Sequence, residues 1–182
     1  EAAEGVFKKL ETSINPERII HKAHYAEALT QRARTYNSLG QYDQAIGFCE
    51  QSNAILQALP GDFSQRIAGN YTFIAAGYRL MGDHESSIEA GETALAIRKK
   101  LQPGFIGLGA IYNEILAACT RRKDSTRVKT RLLEFEALIE NQKDQANFEY
   151  LTYSIAYHWI NYWRLVGQPL KGIPQAETFL KT

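Results

Sequence analysis

Two cysteines, one methionine, two tryptophans and five prolines are all that 182 residues hold of those types. Cys49 and Cys119 stand 70 residues apart, and neither belongs to a CxxC pair. That usage points away from a disulfide framework or a zinc site and toward buried thiols in a reducing, cytoplasmic setting. No apolar run approaches the ~20 residues of a membrane span, and no charged-then-apolar signal segment opens the chain. Neither sign of charge is in excess: 21 Lys and Arg face 20 Asp and Glu, a formal net charge of +1. A whole-surface drive toward nucleic acid or an anionic membrane is therefore not indicated. Catalytic signatures are missing as well. There is no GxSxG, no HExxH and no local Cys-His arrangement. Strand-like alternation and Asn-Gly hairpin turns are also lacking. The first residue is Glu1, as in an excised or processed piece of a longer protein.

What is present is helical periodicity with sparse punctuation. Hydrophobic residues make up 45% of the chain, enough for one compact domain or a short repeat array. A leading helix is expected over Ala2 to Glu11. Asn15-Pro16-Glu17 reads as a helix start, with Asn as cap and Pro at the first helical position. Apolar spacing then carries a helix to Leu39, where Gly40 stops it. Further helices are expected from Tyr42 to Leu59 and, capped by Asp62, from there to Met81. The next run from Asp83 to Leu101, stopped by Pro103-Gly104, and from Phe105 to Arg122. Ser125 to Asn141, Gln145 to Val166 and Gln168 to Lys181 complete the series. The sequon Asn70-Tyr71-Thr72 falls inside a helix and is discounted.

The stretch SLGQYDQAIGFCEQSNAILQAL (Ser38 to Leu59) is echoed by LMGDHESSIEAGETALAIRKKL (Leu80 to Leu101). The breaks within helix pairs fall at Gly40, Gly82, Lys123 and Gly167, spaced 42, 41 and 44 residues apart. A period of this size marks helix pairs that cannot bury their apolar faces alone and therefore stack. The expectation is one all-α domain over residues 1–182. It divides into a leading helix (1–12) and four units over 16–60, 61–102, 103–142 and 144–182.

These units resemble the tetratricopeptide repeat. With Gly40 on the glycine that ends the family's first helix, Ala33, Ala45 and Ser52 fall on its small positions and Tyr42 on its aromatic. Unit two matches through Ala75, Gly82 and Ala94, with Tyr71 and Tyr78 in bulky slots. Small residues are required where two helices cross closely. Unit three departs at Leu116 and Lys123, and unit four at Ile160 and Pro169. The long period is similar to kinesin light chains and to sensor segments of bacterial signalling ATPases and transcription activators. The resemblance covers about Tyr25 to Leu180. It implies a right-handed α-solenoid of antiparallel helix pairs, serving as a protein- or peptide-binding scaffold inside a larger protein rather than as an enzyme. It implies no cofactor and no metal.

In the family, side chains of each first helix line a concave groove. By position these are Thr30, Gln31, Arg34 and Asn37, then Thr72, Phe73, Ala76 and Arg79. Asn113, Glu114, Ala117 and Thr120 follow, then Tyr157, His158, Asn161 and Arg164. Amides pair with a peptide backbone and guanidinium groups hold carboxylates. Arg34, Asn37, Arg79, Asn113, Tyr157, Asn161 and Arg164 are therefore the expected peptide contacts, and the arginines imply an acidic partner. In YLTYSIAYHWINYW (Tyr150 to Trp163), Tyr153 and Tyr157 are placed on the groove face and Trp159 and Trp163 on the packing face.

Three weaker patterns read as structure. The run Arg121-Arg122-Lys123 with Arg127, Lys129 and Arg131 is offset by Glu134, Glu136 and Glu140 and lacks aromatic interleaving, so a solvated turn is expected rather than a nucleic-acid site. His21 and His24, one turn apart near Glu17 and Glu27, lack a third ligand cluster. Gly104, Gly107 and Gly109 form GxxGxG without a preceding strand, which suits a helix that packs closely rather than a phosphate loop. The rival expectations are a ligand-sensing segment of a signalling regulator and a spacer that self-associates or continues into further repeats through its last helix.

Overall fold

The computed structural model of the chain describes residues 2–13, 18–101, 107–140 and 148–180. They form α1 (Ala2–Ser13), α2 (Ile19–Ser38), α3 (Tyr42–Ala58), α4 (Ser64–Met81), α5 (His84–Leu101), α6 (Gly107–Arg121), α7 (Ser125–Glu140), α8 (Phe148–Leu165) and α9 (Gly172–Leu180). A 3-10 turn, Pro169–Lys171, precedes α9. No strand occurs among the described residues. The expected helix start at Asn15-Pro16-Glu17 and the break at Pro103-Gly104 lie outside them, as do Phe105, Asn141, Gln145 and Lys181.

Helices pair as α2 with α3, α4 with α5, α6 with α7, and α8 with α9, and each second helix also packs on the first helix of the next pair. α4 in turn touches α6, and α6 touches α8. The first helices thus share one layer and the second helices the other. This is an α-solenoid of antiparallel helix pairs.

The four turns within pairs are closed in the same way. Gly40, Gly82, Lys123 and Gly167 have φ of +74°, +87°, +60° and +75°. The next residue's N–H donates to the carbonyl five positions back: Gln41 to Tyr36 (2.9 Å), Asp83 to Tyr78 (3.0 Å), Asp124 to Cys119 (3.0 Å) and Gln168 to Trp163 (2.8 Å). A left-handed residue followed by this bond satisfies carbonyls that a helix end leaves open. Glycine adopts that conformation freely; Lys123 does so at a cost of roughly 1 kcal/mol or more. Asp83 and Asp124 then cap the next helices, their carboxylates accepting the Ser86 and Arg127 N–H at 3.1 and 3.0 Å. Asp62 accepts the Ser64 N–H at 2.9 Å as α4 begins.

The small positions are buried as close crossing requires: Ala33, Ala45, Ser52, Ala75 and Ala94 are all in the interior. Glycines bring successive pairs together. A Cβ at Gly77 would lie 3.0 Å from Ile46 Cγ1, and one at Gly91 2.6 Å from Ile115 Cγ1. One at Gly109 would collide with Leu151. Unit three accepts Leu116 into the core. In unit four the close approach is supplied from the other helix: Gly172, whose Cβ would sit 3.2 Å from the Ile160 Cα, faces that larger residue.

Candidate functional groove

Three clefts are lined mainly by the first-helix layer. The first, about 570 Å³, is bounded by Thr30, Arg34, Phe63, Arg66, Phe73 and Arg98, with Ser52 and Asn70 in its floor. The second, about 420 Å³, is bounded by Arg79, Asn113, Glu114, Tyr150, Tyr153 and Tyr157. The third, about 970 Å³, is bounded by Arg79, Arg121, Lys123, Tyr157, Asn161 and Arg164. Arg79, Ala117, Tyr157 and His158 line both the second and the third, so these two are continuous.

The floor of the first cleft is a polar network across three helices. Thr30 Oγ1 donates to Asn70 Oδ1 at 3.0 Å, and Asn70 Nδ2 donates to Ser52 Oγ at 3.0 Å and Asn53 Oδ1 at 2.9 Å. Ser52 Oγ donates to the Ala26 carbonyl at 2.8 Å. With partners on every side, these buried groups tie α2, α3 and α4 into one register. They also place the sequon asparagine, Asn70, in the interior. Arg34 stands above with its guanidinium 5.4 Å from the Phe73 ring centre.

In the second cleft, α6 and α8 are joined through Asn113. Its Oδ1 accepts from Ser154 Oγ and lies 3.2 Å from His158 Nε2. Its Nδ2 donates to Tyr150 Oη at 3.3 Å. Burial holds the His158 imidazole down at about 4, so it is neutral at physiological pH. Arg79 Nε donates to Glu114 Oε2 at 2.6 Å, tying α4 to α6. Over this wall stand Tyr150, Tyr153 and Tyr157, 59%, 61% and 63% exposed. Their spacing of three and four residues puts all three on one face of α8. Trp159 and Trp163 turn the other way and stack at 6.2 Å, and the Trp159 indole N–H donates to Glu136.

The expected contacts therefore fall in two groups. Arg79, Asn113, Tyr157, Asn161 and Arg164 share the continuous groove, while Arg34 belongs to the first cleft. Asn37 is half-buried at the end of α2 and lines none of the three clefts; Gln31, Thr72 and Ala76 line none of them either. Asn161 Nδ2 donates within its own helix, to the Tyr157 carbonyl at 3.0 Å.

A tetratricopeptide repeat family model matches residues 24–100. Among solved structures, BtubC (BKLC) from P. vanneervenii superposes with a TM-score of 0.61 at 13% identity, covering 99% of this chain and 89% of that one. A putative kinesin light chain from Podosopora anserina, with nearly identical TPR-like repeats, gives 0.59 at 18% identity, covering 98% and 87%. The tetratricopeptide pattern is thus matched over residues 24–100. The rest of the described chain shares their fold, as both superpositions extend over nearly all of it. No curated protein matches the chain. Tetratricopeptide repeats generally mediate interactions between proteins, using extended surfaces that stacked pairs create.

Around this repeat groove, several residues were not signalled by register alone. Tyr150 and Ser154 lie two turns and one turn before the register positions Tyr157 and His158. Arg66 and Arg98 enter the first cleft from the start of α4 and the end of α5, which first-helix register does not cover. Elsewhere, burial pushes the Cys49 thiol up to about 12 and the Cys119 thiol to about 11, so neither is a nucleophile at neutral pH. Among the described residues no group of three or more metal-type side chains is found, and no helix is long and apolar enough to cross a membrane.

Proposed function

We propose that the chain is a protein- or peptide-binding module that holds an extended partner segment across α4, α6 and α8. The observation that carries this reading is the trio of exposed tyrosines above a wall whose polar groups are already paired. Three large rings standing in water on one helix face are unusual for a surface with no partner, and tyrosine is a frequent anchor at interfaces. The wall is preorganised, so little ordering cost falls on the module's side. From Tyr150 to Arg164 is fourteen helical steps, about 21 Å. An extended segment of roughly six residues spans that distance. Tyr153 and Tyr157 supply the apolar contact, Asn161 and Arg164 the polar one, and Asn113 holds α8 in position rather than gripping the segment. Arg34, Arg79 and Arg164 favour an acidic partner, although Glu114 already engages Arg79 through its Nε.

The test is a peptide array of acidic and neutral decapeptides probed with wild type, Tyr153→Ala/Tyr157→Ala and Arg164→Glu. All three proteins should give the same circular dichroism, because the altered side chains are exposed. Binding by wild type that is lost in the tyrosine variant and weakened in Arg164→Glu supports the groove. Undiminished binding by the tyrosine variant sinks it.

A further inference from the structure

The basic run at the α6–α7 turn is divided by the fold. Arg122 pairs with Glu85, Arg127 lies 3.7 Å from Asp124, and Arg131 lies 2.7 Å from both Glu92 and Glu134. Arg121 and Lys123 instead line the third cleft with Arg79 and Arg164, and no carboxylate lines it. His84 adds a buried Nδ1 that has no hydrogen-bond partner among the described residues. Helix ends account for part of this. Arg79, Arg121 and Arg164 each occupy the last turn of their helix, where a cation opposes the macrodipole. One cation per helix end suffices for that. Lys123 remains, in a left-handed turn position that the other three pairs give to glycine. The fold spends stability to keep a cation where a glycine would close the turn more easily.

We propose that this cleft is a phosphate site, receiving a phosphorylated serine or threonine of the segment held in the groove. The inference rests on the groove reading for the segment's course past Tyr157 and goes beyond it in naming the chemistry at one end. A carboxylate has two oxygens and one charge, which a single guanidinium satisfies. A phosphoryl group has three acceptor oxygens and nearly two charges, which suits a cleft lined by Arg121, Lys123 and Arg164 from α6, the α6–α7 turn and α8, with Arg79 of α4 already held by Glu114. A nucleic-acid backbone fits less well, because the chain's net charge is only +1 and no charge excess extends beyond the cleft.

The experiment is fluorescence polarisation with a serine-centred degenerate decapeptide pool, labelled and used in phosphorylated and unphosphorylated forms. The phosphorylated form should bind at least ~10-fold tighter to wild type, the scale of a charge-assisted contact. Arg121→Gln and Lys123→Gly should each remove about 10-fold of that advantage. Lys123→Gly relaxes the turn, so weaker binding there cannot come from unfolding. Lys129→Gln, exposed on α7, should change nothing. Equal binding of both forms, lost in Tyr157→Ala, would leave the groove standing and overturn the phosphate site. Binding of neither form would overturn both. Tighter binding of a single-stranded oligonucleotide than of the phosphorylated pool would replace the phosphopeptide with nucleic acid.

Discussion

Gly91 and Gly47 offer a matched pair for asking how closely the repeats pack. Both are interior to second helices, α5 and α3. Nothing lies within 4 Å of a Cβ built at Gly47. At Gly91 the same atom falls 2.6 Å from Ile115 Cγ1, 3.4 Å from its Cδ1 and 3.9 Å from the Ala75 Cβ. Carbon atoms prefer about 3.5–4.0 Å, so the deficit is nearly 1 Å. Ile115 is fully buried, and its β-branch fixes the clashing atom near the backbone. Rotating it aside would drive another group into a filled core. Gly47→Ala should therefore stabilise by about 0.5–1 kcal/mol through helix propensity alone. Gly91→Ala has the same propensity gain but adds an overpacking cost of about 1–3 kcal/mol.

The difference between the two variants isolates the packing cost, because the propensity terms cancel. It should be near 2 kcal/mol, or roughly 4–8 °C in melting temperature for a chain of this size. Thermal unfolding followed at 222 nm by circular dichroism reads it directly. A Gly91→Ala variant that melts as high as Gly47→Ala would refute the argument, since α5 and α6 would then have room to spare. The double variant Gly91→Ala/Ile115→Ala adds a check. Each change alone should be destabilising, and together they should cost less than their sum because the new methyl occupies part of the vacated space.

Further expectations concern the polar interior. Asn70→Ala removes partners from Thr30, Ser52 and Asn53 at once and should cost about 2–4 kcal/mol, read from the urea midpoint. Burial alone would raise the Glu134 carboxyl, but the hydrogen bond and charge of Arg131, then those of Lys99, outweigh it and hold the group below its ordinary 4.5. Its stabilisation is complete above that value and is lost as pH falls through the depressed one, so Glu134→Gln should flatten the acid limb below pH 4.5 and leave the profile at pH 7 unsloped. His158 should titrate near 4 by NMR instead of 6.5. The unfolded chain takes up that proton first, so stability should decline as pH drops between those values, and His158→Gln should remove the decline.

The helix pairs were readable because turn chemistry and periodicity agreed. Gly40, Gly82 and Gly167 announce left-handed helix ends, and the 42-residue spacing fixed Lys123 as the fourth even though its residue type argues for continuing a helix. Only the global repeat reveals that position; local propensity misplaces it. The packing role of Gly109 was legible too, since a glycine without a phosphate-loop context has closeness as its remaining use. The groove was legible by face and not by state. Register puts Arg79 and Asn113 on one face, and both line the second cleft. It does not show that Glu114 and the α8 side chains already engage them, because those contacts join residues 35 to 45 positions apart. Arg66 and Arg98 were missed for a related reason. They reach the first cleft from helix ends, where the direction of a long side chain matters more than the face its Cα occupies.

The pairing of Arg79 and Asn113 changes what their substitution can report. Arg79→Glu would set two carboxylates against each other across α4 and α6, and any loss of binding would be mixed with loss of the wall. Asn113→Ala would free Ser154, His158 and Tyr150 together and let α8 shift. Groups that shape a preformed groove are poor probes of what enters it. The informative positions are those that the fold leaves in water: Tyr153 and Tyr157 at one end, and Arg164, Arg121 and Lys123 at the other. On the proposed reading, a partner segment is felt first at exposed rings and at cations that pair with no carboxylate among the described residues. Variants at those places separate recognition from stability, whereas variants in the wall between them cannot.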